Sequence, residues 1–109
     1  MGLAWRVETL GARVDAELGA LPADIRAKFL HIAEMLEAFG PFQVREPYVK
    51  PLGEKLFEIR MKGKDGIGRA IYMAAPGQRL VVLHAFMKKT SKTPRSAIRT
   101  ALGRAKEAV

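Results

Sequence analysis

Hydrophobic and polar positions along this 109-residue chain change their period near its midpoint. In the opening "LAWRVET", Leu3, Trp5 and Val7 alternate with more polar neighbours, which predicts a short strand at a sheet edge. Leu10, Val14, Leu18 and Leu21 then recur every three or four residues, one stripe of a helix interrupted near Gly19. Pro22 suits the first turn of a second helix, whose Ile25, Phe29, Ile32, Leu36 and Phe39 share a face until Gly40-Pro41 ends it. The pair is a helical hairpin, and its stripe of large apolar side chains is core rather than a ligand site. "GPFQVREPYVKPLGEK", with prolines at 41, 47 and 51, reads as a loop.

Beyond that loop the period becomes two. "KLFEIRM", "RAIYMAA" and "RLVVLHAF" are three strands, joined by "KGKDGIG" and by "APGQ", where Pro76 and Gly77 occupy the centre of a type II turn. The apolar run Leu80 to Leu83 predicts a strand covered on both faces. Thr93 is placed to cap a last helix beginning at Pro94, with Ile98, Ala101, Leu102 and Ala105 inward and Arg95, Arg99 and Arg104 outward or sideways. The predicted class is α+β: one domain over 1–109, an N-terminal strand and helical hairpin packed on a small twisted antiparallel sheet, followed by a C-terminal helix.

Composition changes this picture little. The apolar fraction of 49% and charged fraction of 28% are those of a chain that can bury a core. With no cysteine, disulfides and thiolate metal sites are excluded, in keeping with a reducing compartment and a cytoplasmic location. Arg6, Glu8, Arg13 and Asp15 interrupt any signal-peptide apolar core, and no apolar run reaches the length of a membrane span. Charge is more informative. Residues 1–49 hold five Lys/Arg against seven Asp/Glu, residues 50–109 fourteen against four, so the whole basic surplus lies in the second half. A positive field concentrated on one part of a small fold attracts polyanions, nucleic acid foremost.

Candidate chemistry lies in that half. A symmetric turn at Pro76-Gly77 pairs Arg69 with His84 and Tyr72 with Val81, and a symmetric connection at Lys64-Asp65 pairs Arg60 with Arg69. One row across the sheet then reads Arg60, Arg69, His84. Two adjacent arginines repel unless an anion such as a phosphate lies over them, or Glu58 on the same face or solvent absorbs the charge. "HAFMKKTSKTP" adds Lys88, Lys89 and Lys92, the hydroxyls of Thr90, Ser91 and Thr93, and a helix N-terminus, a set suited to phosphate. It lacks the glycines of a nucleotide-binding P-loop. The two histidines are 53 positions apart, His31 reading as a helix-surface residue, so no metal site or cofactor is expected.

Leu56-Phe57-Glu58-Ile59-Arg60, the strand Arg69-Ala70-Ile71-Tyr72, and Leu83-His84-Ala85-Phe86-Met87-Lys88-Lys89-Thr90 followed by Lys92-Thr93-Pro94 resemble the RelE superfamily of bacterial toxins, in particular its HigB-like branch of phage-derived toxin-antitoxin pairs. The resemblance covers roughly residues 50 to 107. It implies helices on a twisted antiparallel sheet and a metal-independent mRNA interferase that cuts ribosome-bound message and inhibits translation. It also implies a cognate antitoxin of helix-turn-helix type, with operator DNA met through that antitoxin and no membrane partner.

A metal-free ribonuclease needs a base for the 2′-hydroxyl, cations for the phosphoryl charge and an acid for the leaving 5′-oxygen. By resemblance, Arg60 and Arg69 form the phosphate clamp and Lys88 and Lys89 supply further cations; His84 is the candidate base or acid because an imidazole changes charge near neutral pH. Lys55, Tyr72, Phe86, Thr90, Lys92, Thr93 and Arg95 are the implied RNA contacts. His84 also reads as a buried strand histidine, and Tyr72 as packing. The sequence departs from the RelE pattern at Leu56 and Glu58, where that branch places lysines, and in lacking a late tyrosine, so the base stays open between His84 and Glu58. A ParE-like gyrase poison on the same fold and a catalytically degenerate member acting only as a partner for its antitoxin or for operator DNA are the alternatives. A clamp role for Arg69 predicts that its loss removes cleavage without loss of stability; a pair with Glu58 predicts loss of both.

Overall fold

The computed structural model describes residues 4–88 and 92–108. In chain order the elements are β1 (Arg6–Thr9), α1 (Ala12–Gly19), α2 (Ala23–Phe39), β2 (Val49–Gly53), β3 (Leu56–Gly63), β4 (Gly66–Ala75), β5 (Arg79–Lys88) and α3 (Arg95–Ala108). They build one five-stranded sheet in the order β1-β5-β4-β3-β2. All neighbours are antiparallel except β1, which lies parallel to β5 at the edge. No helix among the described residues is long and apolar enough to cross a membrane.

Each face of the sheet has its own cover. The α1–α2 hairpin packs Val14, Ile25, Phe29, Ile32 and Leu36 against Ile59, Met61, Ala70, Tyr72, Leu80 and Val82. Contact is close enough that a Cβ on Gly68 would run into the Ile25 side chain, so only glycine admits α2 at this distance. On the other face α3 lays Ala97, Ala101 and Ala108 over Leu56, Ile71, Ala75, Val81 and Leu83. Leu80 and Val82 thus belong to one core and Val81 and Leu83 to the other, as their unbroken apolar run predicts.

Two features depart from the sequence reading. The segment read wholly as a loop contains β2, an edge strand that holds Pro51 because an edge position can dispense with one ladder donor. The register of the β4–β5 hairpin also differs. Gly77 takes the positive φ of a type II turn, 86°, but Gln78 follows at φ 56°, so the connection is three residues long and Ala75 pairs with Arg79. A bulge then leaves Leu83 without an opposite residue, because Tyr72 pairs with Val82 and Ile71 with His84. The two shifts bring Arg69 opposite Phe86 rather than His84. A displacement of two residues preserves the face, so Arg69 and His84 still share one side of the sheet, one rung apart.

Candidate nucleic-acid interface

Cross-strand pairing places the charged residues of β3, β4 and β5 in successive rungs on the α3 side. Lys62, Ile67 and Lys88 form the outermost; Arg60, Arg69 and Phe86 the next; Glu58, Ile71 and His84 the third. Four cations therefore occupy two neighbouring rungs, about 6.6 Å apart along the strands. The Arg60–Arg69 pair is the one expected from the short Lys64-Asp65 connection.

The anion over those arginines is Glu58. Its carboxylate lies 3.4 Å from Arg69 Nη1 and 3.8 Å from Arg60 Nε, and both Glu58 and Arg69 are only 1% exposed, against 27% for Arg60. Thr93 closes the cluster: its hydroxyl donates to Glu58 Oε2 in a very short contact and accepts from Arg69 Nη1 at 3.0 Å. Thr93 is therefore turned onto the sheet rather than used as a helix cap. The first turn of α3 is instead set by the Pro94 carbonyl, which accepts from the Ile98 N–H at 3.3 Å. A buried ion pair of this kind is costly to break, because either partner alone is left charged and desolvated. This burial favours the second of the two expectations for Arg69, a pair with Glu58 whose loss lowers stability.

His84 is held from three sides. Glu17 of α1 brings Oε1 to 3.0 Å from Nδ1, Arg104 of α3 binds Glu17 at 2.9 Å, and the Phe86 ring stacks on the imidazole at 4.9 Å. Burial works to raise the pKa of Glu17, but the donors Arg104, the Ala85 N–H and His84 outweigh it and hold the carboxyl below its ordinary value. His84, Phe86, Lys88, Pro94, Ser96 and Thr100 line a groove of about 260 Å³ between the end of β5 and the start of α3.

The other sequence-derived residues scatter. Lys92 and Arg95 are exposed near the start of α3. Lys55 stands in the β2–β3 turn at φ 68°, the length of β3 away from Lys62, roughly 23 Å at about 3.3 Å per residue. Tyr72 is fully buried on the hairpin side, stacked on Phe57 at 5.5 Å, with burial pushing its hydroxyl up to about 12. It is buried facing away from the cation rungs, which corrects its reading as a surface contact. Lys89 and Thr90 lie outside the described residues. Among the described residues no group of three or more His, Asp or Glu is arranged to hold a metal ion.

Residues 16–106 match the family model described as "Phage derived protein Gp49-like (DUF891)". The chain belongs to this family. Comparison with curated proteins found no match. Among solved structures, a double arginine-to-alanine mutant of the Escherichia coli toxin RelE in the free state superposes with a TM-score of 0.67 at 14% identity, over 94% of this chain and 98% of that one. The RelE–RelB complex of Pyrococcus horikoshii matches with a TM-score of 0.56 at 24% identity, over 78% of this chain and 96% of that one. The Gp49-like chain thus has the fold of the RelE toxins, as the resemblance implied.

Within this Gp49-like site, sequence reasoning missed Glu17, Arg104 as an inward residue, and Lys62. Lys62 was discoverable, since it continues the alternation of Glu58 and Arg60. Glu17 was not: it lies 67 positions from His84, and nothing in its helix marks it as a partner.

Proposed function

We propose that this Gp49-like chain is the toxin of a type II toxin-antitoxin pair and acts in the cytoplasm as a metal-independent endoribonuclease on messenger RNA. The observation that carries the reading is the basic margin of the sheet, Lys62, Lys88 and the partly exposed Arg60, beside a groove that holds His84. Cations spaced along a strand pair suit successive phosphates of a single strand, and Phe86 at the groove offers a face for a base. The antitoxin partner rests on the likeness to a RelE complexed with RelB. Ribosome-bound message as the substrate and a helix-turn-helix antitoxin extend the same resemblance.

A second reading is favoured by one observation: Arg69 is already engaged by Glu58, which suits a protein-binding toxin of the gyrase-poison type that needs no free clamp. Purified protein added to a translation extract and to a gyrase supercoiling reaction separates the two. Message truncated with supercoiling intact supports the ribonuclease; halted supercoiling with intact message supports the alternative. Growth arrest on expression, relieved by a small neighbouring gene product, is expected under both, and harmless expression of the folded chain refutes both.

A further inference from the structure

β1 stops pairing with β5 at Val82, which leaves the outward backbone of Leu83 to Ala85 without a strand partner. Two side chains fill that role. Glu17 Oε1 accepts the Ala85 N–H at 3.0 Å, and Arg104 Nη1 donates to the Leu83 carbonyl at 2.8 Å. The same Glu17 oxygen lies 3.0 Å from His84 Nδ1, while Arg104 Nη1 lies 3.4 Å from that nitrogen. A carboxylate only accepts and a guanidinium only donates, so these two neighbours demand opposite tautomers. The shorter contact decides: Nδ1 carries the proton and donates to Glu17, and the Arg104 approach is a charge contact within the Glu17 ion pair. Nε2 then bears the lone pair. It has no hydrogen bond among the described residues, and the ring edges the groove that also contains Lys88, Ser96 and Thr100. The Leu83 bulge and the Phe86 stack set the plane of the ring.

We propose that Glu17 is a positioning residue that holds His84 with a bare Nε2 toward the groove, where it accepts the 2′-hydroxyl proton of bound RNA. The inference rests on the ribonuclease reading and chooses His84 over Glu58 as the base. In the step, the 2′-oxygen bonds to phosphorus as its proton passes to Nε2. The bond from phosphorus to the 5′-oxygen breaks, giving a 2′,3′-cyclic phosphate and a 5′-hydroxyl whose proton comes from solvent. Lys88 in the same groove meets the phosphoryl charge. Glu58 is a poorer base, being 1% exposed and tied to Arg69 and Thr93. The charged groups facing His84 are Glu17 from α1, Arg104 from α3 and Lys88 from β5. Orientation of an imidazole by a hydrogen-bonded carboxylate is a general device for fixing its tautomer.

Glu17→Gln is the informative change, because its amide oxygen still accepts the Ala85 N–H while the charge is lost. Ring-nitrogen NMR of the histidine-labelled chain, with exposed His31 as internal reference, should give the Nδ1–H tautomer for neutral His84. In Glu17→Gln the charge that holds the Nδ1 proton is gone, so the share of the Nδ1–H tautomer should fall. The cleavage rate should fall about tenfold in Glu17→Gln and about 10²-fold or more in His84→Gln. An Nε2–H tautomer in the wild type, or a tautomer ratio unchanged in Glu17→Gln, overturns the inference. Cleavage that survives His84→Gln also overturns it while leaving the ribonuclease reading intact. Wild-type protein that shows the Nδ1–H tautomer but cuts no message refutes the ribonuclease reading and with it the proton transfer.

Discussion

The two faces of the sheet solve the same burial problem differently. Under the hairpin the buried sheet residues are apolar: Ile59, Met61, Ala70, Tyr72 and Val82 meet the large side chains of α1 and α2. Under α3, the helix contributes alanines, whose small side chains cover Ile71 and Leu83 but fill little volume. Charge is buried on that side alone, as Glu58 and Arg69, with Thr93 closing over them. A wide dry face carries the fold, and a narrow one leaves a basic margin where β5 meets α3.

The comparison breaks most directly at the buried pair. Either Glu58→Ala or Arg69→Ala should cost about 3–5 kcal/mol of unfolding free energy, because each leaves its partner charged and desolvated. The double change Glu58→Leu with Arg69→Met should recover most of that loss and, removing one buried charge of each sign, should leave RNA binding unchanged. Denaturant titration of the three variants measures this, and single variants as stable as the wild type would mean that the pair is not buried in solution. Activity of the singles has to be normalised to folded protein, since stability and cleavage fall together here.

A smaller effect tests the margin. Replacing Lys62 and Lys88 together by Ala should leave stability within about 0.5 kcal/mol. It should make the logarithmic salt dependence of single-stranded RNA binding shallower by about 1.4, two phosphate contacts at about 0.7 each. Filter binding over a salt series reads the slope. An unchanged slope would mean that these cations do not touch the backbone.

The smallest effect belongs to the hairpin face. The Tyr72 hydroxyl is buried with no hydrogen-bond partner among the described residues. Tyr72→Phe should therefore be neutral or stabilising by up to about 1 kcal/mol, with cleavage unchanged. Thermal melts and a cleavage assay together check it, and a loss of cleavage at unchanged stability would return Tyr72 to the site.

The elements were largely legible because each announces itself in its own sequence. Phe57, Ile59 and Met61 alternate, and Ile25, Phe29, Ile32 and Leu36 follow the helical period, so burying each set on one side leaves few choices of structure. β2 was hidden by Pro51, since local propensity argues against a strand and only pairing with β3 supplies one. The order Arg60 beside Arg69 was legible too, because the Lys64-Asp65 connection is short and regular.

What the sequence alone determined is therefore the class of fold, the basic half, and the side of the sheet on which Arg60, Arg69 and His84 lie. Tertiary structure decided the rest: that Arg69 meets Phe86, that Glu58 fills the place between the arginines, and that Glu17 reaches His84. The physical reason is one of range. Periodicity is a property of neighbouring residues, so it survives in a string, and a two-residue slip cannot change a face. A third residue in a turn, one bulge at Leu83 and a carboxylate from a distant helix follow from how whole elements pack, and no local pattern encodes them.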